Sequence, residues 1–365
     1  MAIDYQIECE RVNRWELPMG ALGVALHSDM KRGFVACMDD VYLLDLETGD
    51  SKRLYSHGSY ASNVVHVPET DLIISAGYDG ALRWFDLATE KVVRVLQAHS
   101  FWSWDMALSA DPSVVATSSG QYLAGDYEYR PLASPEPCVR VFETATGETL
   151  GSYDFGPPVQ AVAVSSDGKR VAAANLMGDV GVWEVGGDQL ASWNTPDFTA
   201  FGIIKSHCQI GGIYAITFAP NENEIIVAGM GPMRDPMAGN GKQRWQRFDW
   251  TKETPEKLAQ SNDDQVGEGL METLAIHPSE KYFVMGGRLR GGSWSTALFD
   301  LASGDLLHSL KTGTRVTKAV FSHDGSRLLL AGARKQKENA DKPFGIVDVY
   351  SVTEKATSTP APDDE

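Results

Sequence analysis

Residues 81–90 read ALRWFDLATE, an alternating apolar run that ends in an aromatic residue and an acid. Alternation with period two is typical of a β-strand. Six further segments share the pattern, and several continue into Thr-Gly or Ser-Gly. They are VYLLDLETGD (41–50), CVRVFETATGET (138–149), VGVWEVGGD (180–188), RWQRFDWTKE (244–253), TALFDLASGD (296–305) and VDVYSVTEK (347–355). Unequal spacing between copies is what one repeated unit with loop insertions produces.

A second pattern precedes the first in each unit. Examples are VQAVAVSSDGKRVAAAN (159–175) and VTKAVFSHDGSRLLLAG (316–332), two apolar alternating runs joined by Asp-Gly. Such a pair predicts a β-hairpin. Together with a further apolar segment after the acid, such as KVVRVLQ at 91–97, each unit has four predicted strands. We therefore expect an all-β chain of seven units.

The block HGSYASNVVHVPETDLIISAGYDGALRWFD (57–86) resembles a WD repeat of the β-propeller family. It has the His-Gly opening and the Asp79-Gly80 turn, and Phe85-Asp86 stands where that family has Trp-Asp. The copies are degenerate, since only Trp183-Glu184 keeps the tryptophan. The resemblance spans most of the chain and implies a seven-bladed β-propeller with four antiparallel strands per blade. In a closed ring, neighbouring blades cover the apolar faces of each sheet.

The chain ends suggest how such a ring would close. Residues 3–12 alternate without belonging to a unit, whereas the last unit has no outer strand of its own. We expect residues 3–12 to complete the last blade, the alternative being a disordered N-terminal arm. The predicted domain is a single propeller over 1–355, followed by a disordered acidic C-terminal tail at 356–365.

The predicted insertions all open on one face of the propeller, and such a face is usually the binding face of a repeat protein. They occupy 119–137, 192–212, 231–243, 288–295 and 334–343. Aligning the innermost strands places one residue per unit at the mouth of the central channel: Leu22, Ser62, Trp104, Gln160, Tyr214, Glu272 and Thr317. From the loops we add Trp102, Tyr127, Arg130, Arg234, Arg288 and Trp294, with Tyr122, Tyr129 and Arg290 nearby.

Aromatic residues and arginine are the side chains that most often anchor protein interfaces. We therefore expect this face to bind a protein or peptide partner. Two alternatives stay open at the residue level. Trp102 and Trp104 could pack inside a corner of their blade, and a register slip of one residue would turn each channel residue away.

The histidines allow a structural and a metal-binding interpretation. The resemblance implies that His57 bonds the turn residue Asp79 and the strand residue Ser75, which would staple the blade. Alternatively, His57, His99 and His207 with Cys208 and Asp105 could converge on zinc. The structural interpretation is the better founded, and we expect no metal, no cofactor and no catalytic residue. The sequence has no H-E-x-x-H, G-x-S-x-G or P-loop motif.

Composition excludes several classes of function. The chain of 365 residues is 43% hydrophobic and 22% charged, with a formal net charge of −17. That balance argues against a nucleic-acid binder and would favour basic partners. No apolar stretch is long enough to span a membrane, and the acidic N-terminus does not look like a signal segment, so we expect a cytoplasmic protein. The four scattered cysteines indicate reduced thiols.

These observations lead to one functional hypothesis and one alternative. The first is a non-catalytic interaction scaffold or complex subunit that presents the insertion-bearing face to a partner. The second is a propeller hydrolase or lyase with a metal or acid–base site at the channel mouth. Neither the partner nor the oligomeric state follows from the residues.

Overall fold

The apolar alternating runs form short antiparallel strands, joined mostly by tight turns. The computed structural model describes residues 3–121, 134–200, 210–233, 241–291, 293–335 and 342–356. Strand β1 (Tyr5–Leu17) is followed by a first sheet of β2 (Ala21–Leu26), β3 (Arg32–Cys37), β4 (Asp40–Asp45) and β5 (Ser51–Ser56). The second sheet contains β6 (Ala61–His66), β7 (Leu72–Gly77), β8 (Ala81–Asp86) and β9 (Lys91–Gln97).

Two further sheets have the same four-stranded order. The third contains β10 (Asp105–Leu108), β11 (Val114–Ser118), β12 (Val139–Glu143) and β13 (Thr149–Tyr153). The fourth contains β14 (Val159–Val164), β15 (Arg170–Asn175), β16 (Asp179–Glu184) and β17 (Gln189–Asn194). A 3-10 turn at Pro196–Phe198 follows and buries Phe198. Within the segment 192–212, expected to be a loop insertion, the described residues 192–200 and 210–212 contribute to strands and to this 3-10 turn.

The next strands form one larger sheet. Its nine members are β18 (Thr199–Ala200), β19 (Ile210–Phe218), β20 (Glu224–Met233), β21 (Gly241–Asp249), β22 (Glu256–Gln260), β23 (Glu268–Ile276), β24 (Tyr282–Gly291), β25 (Thr296–Asp300) and β26 (Leu306–Leu310). The last sheet has the order β1-β29-β28-β27, with β27 (Arg315–Phe321), β28 (Arg327–Ala333) and β29 (Gly345–Ala356). The N-terminal strand thus pairs with the C-terminal strand along its whole length.

The expectation of seven separate four-stranded blades is wrong. The described residues form a β-propeller of five four-stranded sheets and one nine-stranded sheet. The two units after residue 198 merge because Lys242 of β21 pairs with Glu268 of β23. Parts of 231–243 and 288–295, expected to be loops, instead lengthen β20, β21 and β24. A lengthened strand exposes unpaired backbone groups that a neighbouring strand can satisfy.

The sheets surround a central channel, and the apolar core lies in layers between successive sheets. The innermost strands β2, β6, β10, β14, β19, β23 and β27 follow one another, and β27 returns to β2. Phe34 and Phe85, for example, belong to the apolar cluster between the first two sheets. Phe283 and Trp245 belong to the cluster within the nine-stranded sheet. Each sheet therefore buries both faces, which explains the dense Val, Ala and Leu content of the inner strands.

The repeated acids stabilise the turns that lead to the outer strands. The Asp45 carboxylate accepts hydrogen bonds from the amides of Glu47 and Thr48, both at 2.8 Å. The Asp86 carboxylate accepts equivalent bonds from Ala88 and Thr89 at 2.8 and 3.1 Å. Side chains of this type replace the backbone partners that a turn lacks. Their repetition therefore has a folding role.

No helix among the described residues has the length and hydrophobicity needed to cross a membrane. Cys9, Cys37 and Cys138 are free thiols. Cys208 lies outside the described residues, as does the segment 357–365 of the proposed tail.

Candidate functional site

The central channel is a concave feature to which all seven innermost strands contribute lining residues. Its volume is about 760 Å³. All seven residues expected at its mouth line it: Leu22, Ser62, Trp104, Gln160, Tyr214, Glu272 and Thr317. Six of them lie in six different innermost strands, and the seventh, Trp104, immediately precedes the innermost strand β10. These seven residues therefore share one channel, and their part in binding stays a prediction.

A β-bulge directs most of these side chains toward the channel. In β2 the pairing with β3 skips Leu22, and in β6 the pairing with β7 skips Ser62. The same irregularity occurs at four further channel residues: Gln160, Tyr214, Glu272 and Thr317. A bulge adds one unpaired residue, bends the strand and re-aims a side chain. Trp104 differs, since it immediately precedes β10 and its amide bonds to the carbonyl of Ser118 at 2.9 Å.

Aromatic side chains form a continuous cluster on one side of the mouth. Tyr78 stacks on Trp102 with ring centroids 4.6 Å apart, and Phe101 stacks on the other side at 5.2 Å. Trp104 meets Trp102 edge-on at 5.2 Å, and Tyr60 lies 5.7 Å from Tyr78. Trp102 is 40% exposed and Tyr60 is 39% exposed. We call Tyr60, Tyr78, Phe101, Trp102 and Trp104 the aromatic cluster.

Sequence reasoning missed three members of the aromatic cluster, Tyr60, Tyr78 and Phe101. Tyr78 immediately precedes the Asp79-Gly80 turn, and Tyr60 immediately precedes β6. Both positions open on the same face as the predicted insertions, so their location in the repeat was the available signal. The corner-packing alternative fits Trp104 in part, because its indole N–H donates to the Gly120 carbonyl at 3.0 Å.

Charged side chains also line the channel. Arg315 of β27 donates to both carboxylate oxygens of Glu272, with its Nε 2.8 Å from Oε1 and its Nη2 2.6 Å from Oε2. Burial raises the pKa of Glu272 above its ordinary value, although the charges of Arg315 and Arg288 lower it in part. The Arg315 side chain is 48% exposed and that of Glu272 only 9%. The guanidinium therefore faces solvent and covers the carboxylate.

A second ion pair crosses the channel. Lys318 of β27 lies 3.4 Å from Asp105 of β10. Asp105 also accepts hydrogen bonds from the Asn63 amide at 2.7 Å and from the Val162 backbone at 3.3 Å. This carboxylate therefore contacts groups from three other sheets, which ties opposite sides of the ring together.

The remaining loop predictions have different outcomes. Trp294 is 1% exposed, and its indole N–H donates to the Gln265 carbonyl at 3.1 Å. The prediction that Trp294 contributes to the binding face is wrong, because this side chain fills the core near Phe299. Arg288 lies near the end of β24, with its Nε buried and without a hydrogen-bond partner in the described part of the chain. Outside the described residues lie Tyr122, Tyr127, Tyr129, Arg130 and Arg234.

The structure brings together the three residues of the expected staple. His57 Nδ1 is 3.0 Å from the Asp79 carboxylate, and His57 Nε2 is 2.7 Å from the Ser75 hydroxyl. Burial lowers the pKa of His57. Burial alone would raise the pKa of Asp79, but hydrogen bonds from His57 and the Gly58 amide lower it below its ordinary range. This network joins the second sheet's turn to the segment that enters the sheet.

His99, the other described histidine of the zinc alternative, is hydrogen-bonded to the third sheet. His99 is buried, and its Nε2 lies 2.8 Å from the Thr117 hydroxyl. His207 and Cys208 are outside the described residues. Within the ranges that the structure describes, no three His, Cys, Asp or Glu side chains lie close enough to hold a metal ion.

No protein-family model matches the chain, and no curated protein matches it either. The functional argument consequently depends on the residues and geometry of the channel mouth.

Proposed function

We propose that the protein is a non-catalytic interaction scaffold, or a subunit of a complex, that binds a protein or peptide partner at the channel mouth. The observation that carries the proposal is the aromatic cluster. Five aromatic rings in mutual contact, two of them more than a third exposed, lie beside a channel rather than between sheets. Large rigid rings bury much area on binding and lose little entropy, so they act as interface anchors.

The state of the channel carboxylates supports binding over acid–base catalysis. Glu272 is engaged by Arg315, and Asp105 by Lys318 and Asn63. A general acid or base needs a carboxyl group that can reach a substrate and exchange a proton with it. Both groups are held in ion pairs, which favours a role in shaping the channel.

The test replaces Trp102 with alanine. A partner captured from a lysate of the protein's own cells would be purified, and its affinity measured by calorimetry. Because an exposed central tryptophan is a typical hot spot, Trp102→Ala should weaken binding by about 2 kcal/mol, roughly 30-fold. The control is Val93→Ala on β9, an apolar residue of an outer strand that is more exposed than Trp102, at 55% against 40%. Equal affinity of both variants for the partner would overturn the proposed binding face.

A crosslinking experiment provides a readout that does not depend on affinity. A photo-reactive amino acid at position 102 should capture the partner, whereas the same group at position 93 should not. Capture at position 93 alone would place the interface on the outer strands instead.

A further inference from the structure

Among the described residues, the channel does not share the strong negative charge of the whole chain. Two carboxylates, Asp105 and Glu272, line the channel, and so do Arg315 and Lys318. Arg288 adds a third cation close enough to Glu272 to lower the pKa of its carboxyl group. Among the described residues that line it, the carboxylates and cations of the channel are therefore equal in number, with Arg288 nearby, in a protein whose formal net charge is −17.

The accessible charge at the mouth is the guanidinium of Arg315. Its Nε and Nη2 bond Glu272, and among the described residues its Nη1 has no hydrogen-bond partner. Both channel carboxylates, by contrast, already accept several hydrogen bonds. Asp105 accepts from Asn63 and Val162, and Glu272 is covered by Arg315. The carboxylate oxygens that would accept hydrogen bonds from an entering basic group therefore already have donors. An entering acidic group, by contrast, could accept a hydrogen bond from Nη1 of Arg315.

Tyr78 connects this charge to the aromatic cluster. It lines the channel and stacks on Trp102. Burial raises the pKa of the Tyr78 hydroxyl, and the nearby Arg315 charge acts in the opposite direction. An apolar ring surface and a guanidinium donor therefore lie side by side, within the reach of one short peptide segment.

We infer that the channel mouth recognises an acidic peptide segment of a partner, with an Asp or Glu side chain on Arg315 and a neighbouring bulky apolar residue on the aromatic cluster. This inference rests on the proposed function. A channel of about 760 Å³ admits a few side chains and no folded domain. A guanidinium binds carboxylates with charge-assisted, geometrically specific hydrogen bonds. The acidic remainder of the surface would disfavour acidic segments elsewhere, which adds selectivity for the mouth.

The test selects peptides from a displayed library of random dodecapeptides on the full-length protein. We expect enriched sequences to combine Asp or Glu with a bulky apolar residue one to three positions away. A synthetic peptide of the enriched sequence would then be compared with versions carrying Gln or Lys at the acidic position. The Gln and Lys versions should bind about tenfold more weakly or worse, as expected for loss of a charge-assisted hydrogen bond. A version with a free C-terminal carboxylate in place of the acidic side chain should not restore affinity.

Replacing both members of an ion pair tests their role in peptide binding without leaving one of the two charges buried and unpaired. The double variant Glu272→Gln with Arg315→Met removes both charges of the mouth pair. It should retain binding of the Gln peptide and lose the preference for the acidic one. The matched control removes the exposed pair Lys52–Glu90 of the outer strands through Lys52→Met with Glu90→Gln. This control should bind every peptide as the natural protein does.

The outcomes separate the inference from the proposed function. Enrichment of basic or uncharged peptides whose binding depends on Trp102 would overturn the acidic specificity and leave the docking face in place. Retention of the acidic preference in the Glu272/Arg315 double variant would also overturn the inference. Absence of any enrichment that depends on Trp102 would count against both.

Discussion

His99 is a buried side chain through which we expect the stability of the protein to depend on pH. It lies in the segment between β9 and β10, with one ring nitrogen bonded to Thr117 and the other, Nδ1, without a partner among the residues that the structure describes. Burial, reinforced by the Arg140 charge, lowers its pKa to about 4 from an ordinary value near 6.5. The folded protein therefore holds this imidazole neutral over a range in which the unfolded chain binds a proton.

Acid should destabilise the protein through His99. Because the unfolded state takes up the proton first, the stabilising contribution is complete above pH about 6.5 and is lost as the pH falls toward 4. The loss from this group is of the order of 3 kcal/mol. Urea unfolding at pH 7.5, 6, 5 and 4 should show a shallower decline in the free energy of unfolding for His99→Gln than for the natural protein. Parallel declines would assign the acid sensitivity to other groups.

At the scale of elements, β1 is the unusual strand. It comes from the opposite end of the chain to its partner β29 and pairs with it from Tyr5 to Leu17. Arg14 of β1 donates to both oxygens of the buried Asp348 of β29, at 2.6 Å each, and to the Thr312 carbonyl at 2.8 Å. Arg11 lies farther from the same carboxylate, at 3.9 Å. We call this pairing of β1 with β29 the clasp. In addition to its backbone pairing it has the Arg14–Asp348 contact on a buried carboxylate and an exposed pair of Glu8 with Lys355.

Arg14→Met should lower the free energy of unfolding by roughly 3 kcal/mol, because it leaves the Asp348 carboxylate buried without its main partner. Arg11→Met is the matched control, and should cost less than about 1 kcal/mol as a partly exposed, longer contact. Adding Asp348→Asn to Arg14→Met should recover part of the loss. Urea titrations of the four proteins form the test. Equal effects of the Arg14 and Arg11 substitutions would mean that backbone pairing alone holds β1.

The repeating elements were predictable because their signals are local. Short apolar runs bounded by turn residues predict strands from the sequence alone, and the turn acids Asp45 and Asp86 accept hydrogen bonds from amides only two or three residues away. Channel residues such as Ser62 and Gln160 follow from aligning the repeats, since each copy occupies the same place in its unit. The ends of β20, β21 and β24 were not predictable, because they depend on pairing with strands from the next unit.

At the scale of the whole molecule, closure of the ring is the central feature. The innermost strands contact their neighbours all the way round, and the last sheet is complete only with β1. Without that strand, β29 would expose an unpaired edge, which is a site for aggregation. Stability of the sheets is therefore coupled through the first residues of the chain.

Deleting residues 1–17 should lower the melting temperature and split or broaden a single calorimetric transition, because the ring loses its closing strand. A synthetic peptide of residues 3–17 added in excess should restore the transition by strand addition. A scrambled peptide of the same composition is the control. An unchanged melting temperature after the deletion would contradict a stabilising role for the clasp.

By itself the sequence determined the all-β class, the repeated unit and the identity of the residues that line the channel, since all three follow from spacing along the chain. Only the tertiary structure decided that two units merge into a nine-stranded sheet, that Trp294 is buried while Trp102 is exposed, and that Tyr60, Tyr78 and Phe101 join the tryptophans. It also decided that Arg315 covers Glu272 and gives the mouth its accessible positive charge. These features depend on which loops and strand ends meet in space, and neither composition nor periodicity encodes such distances.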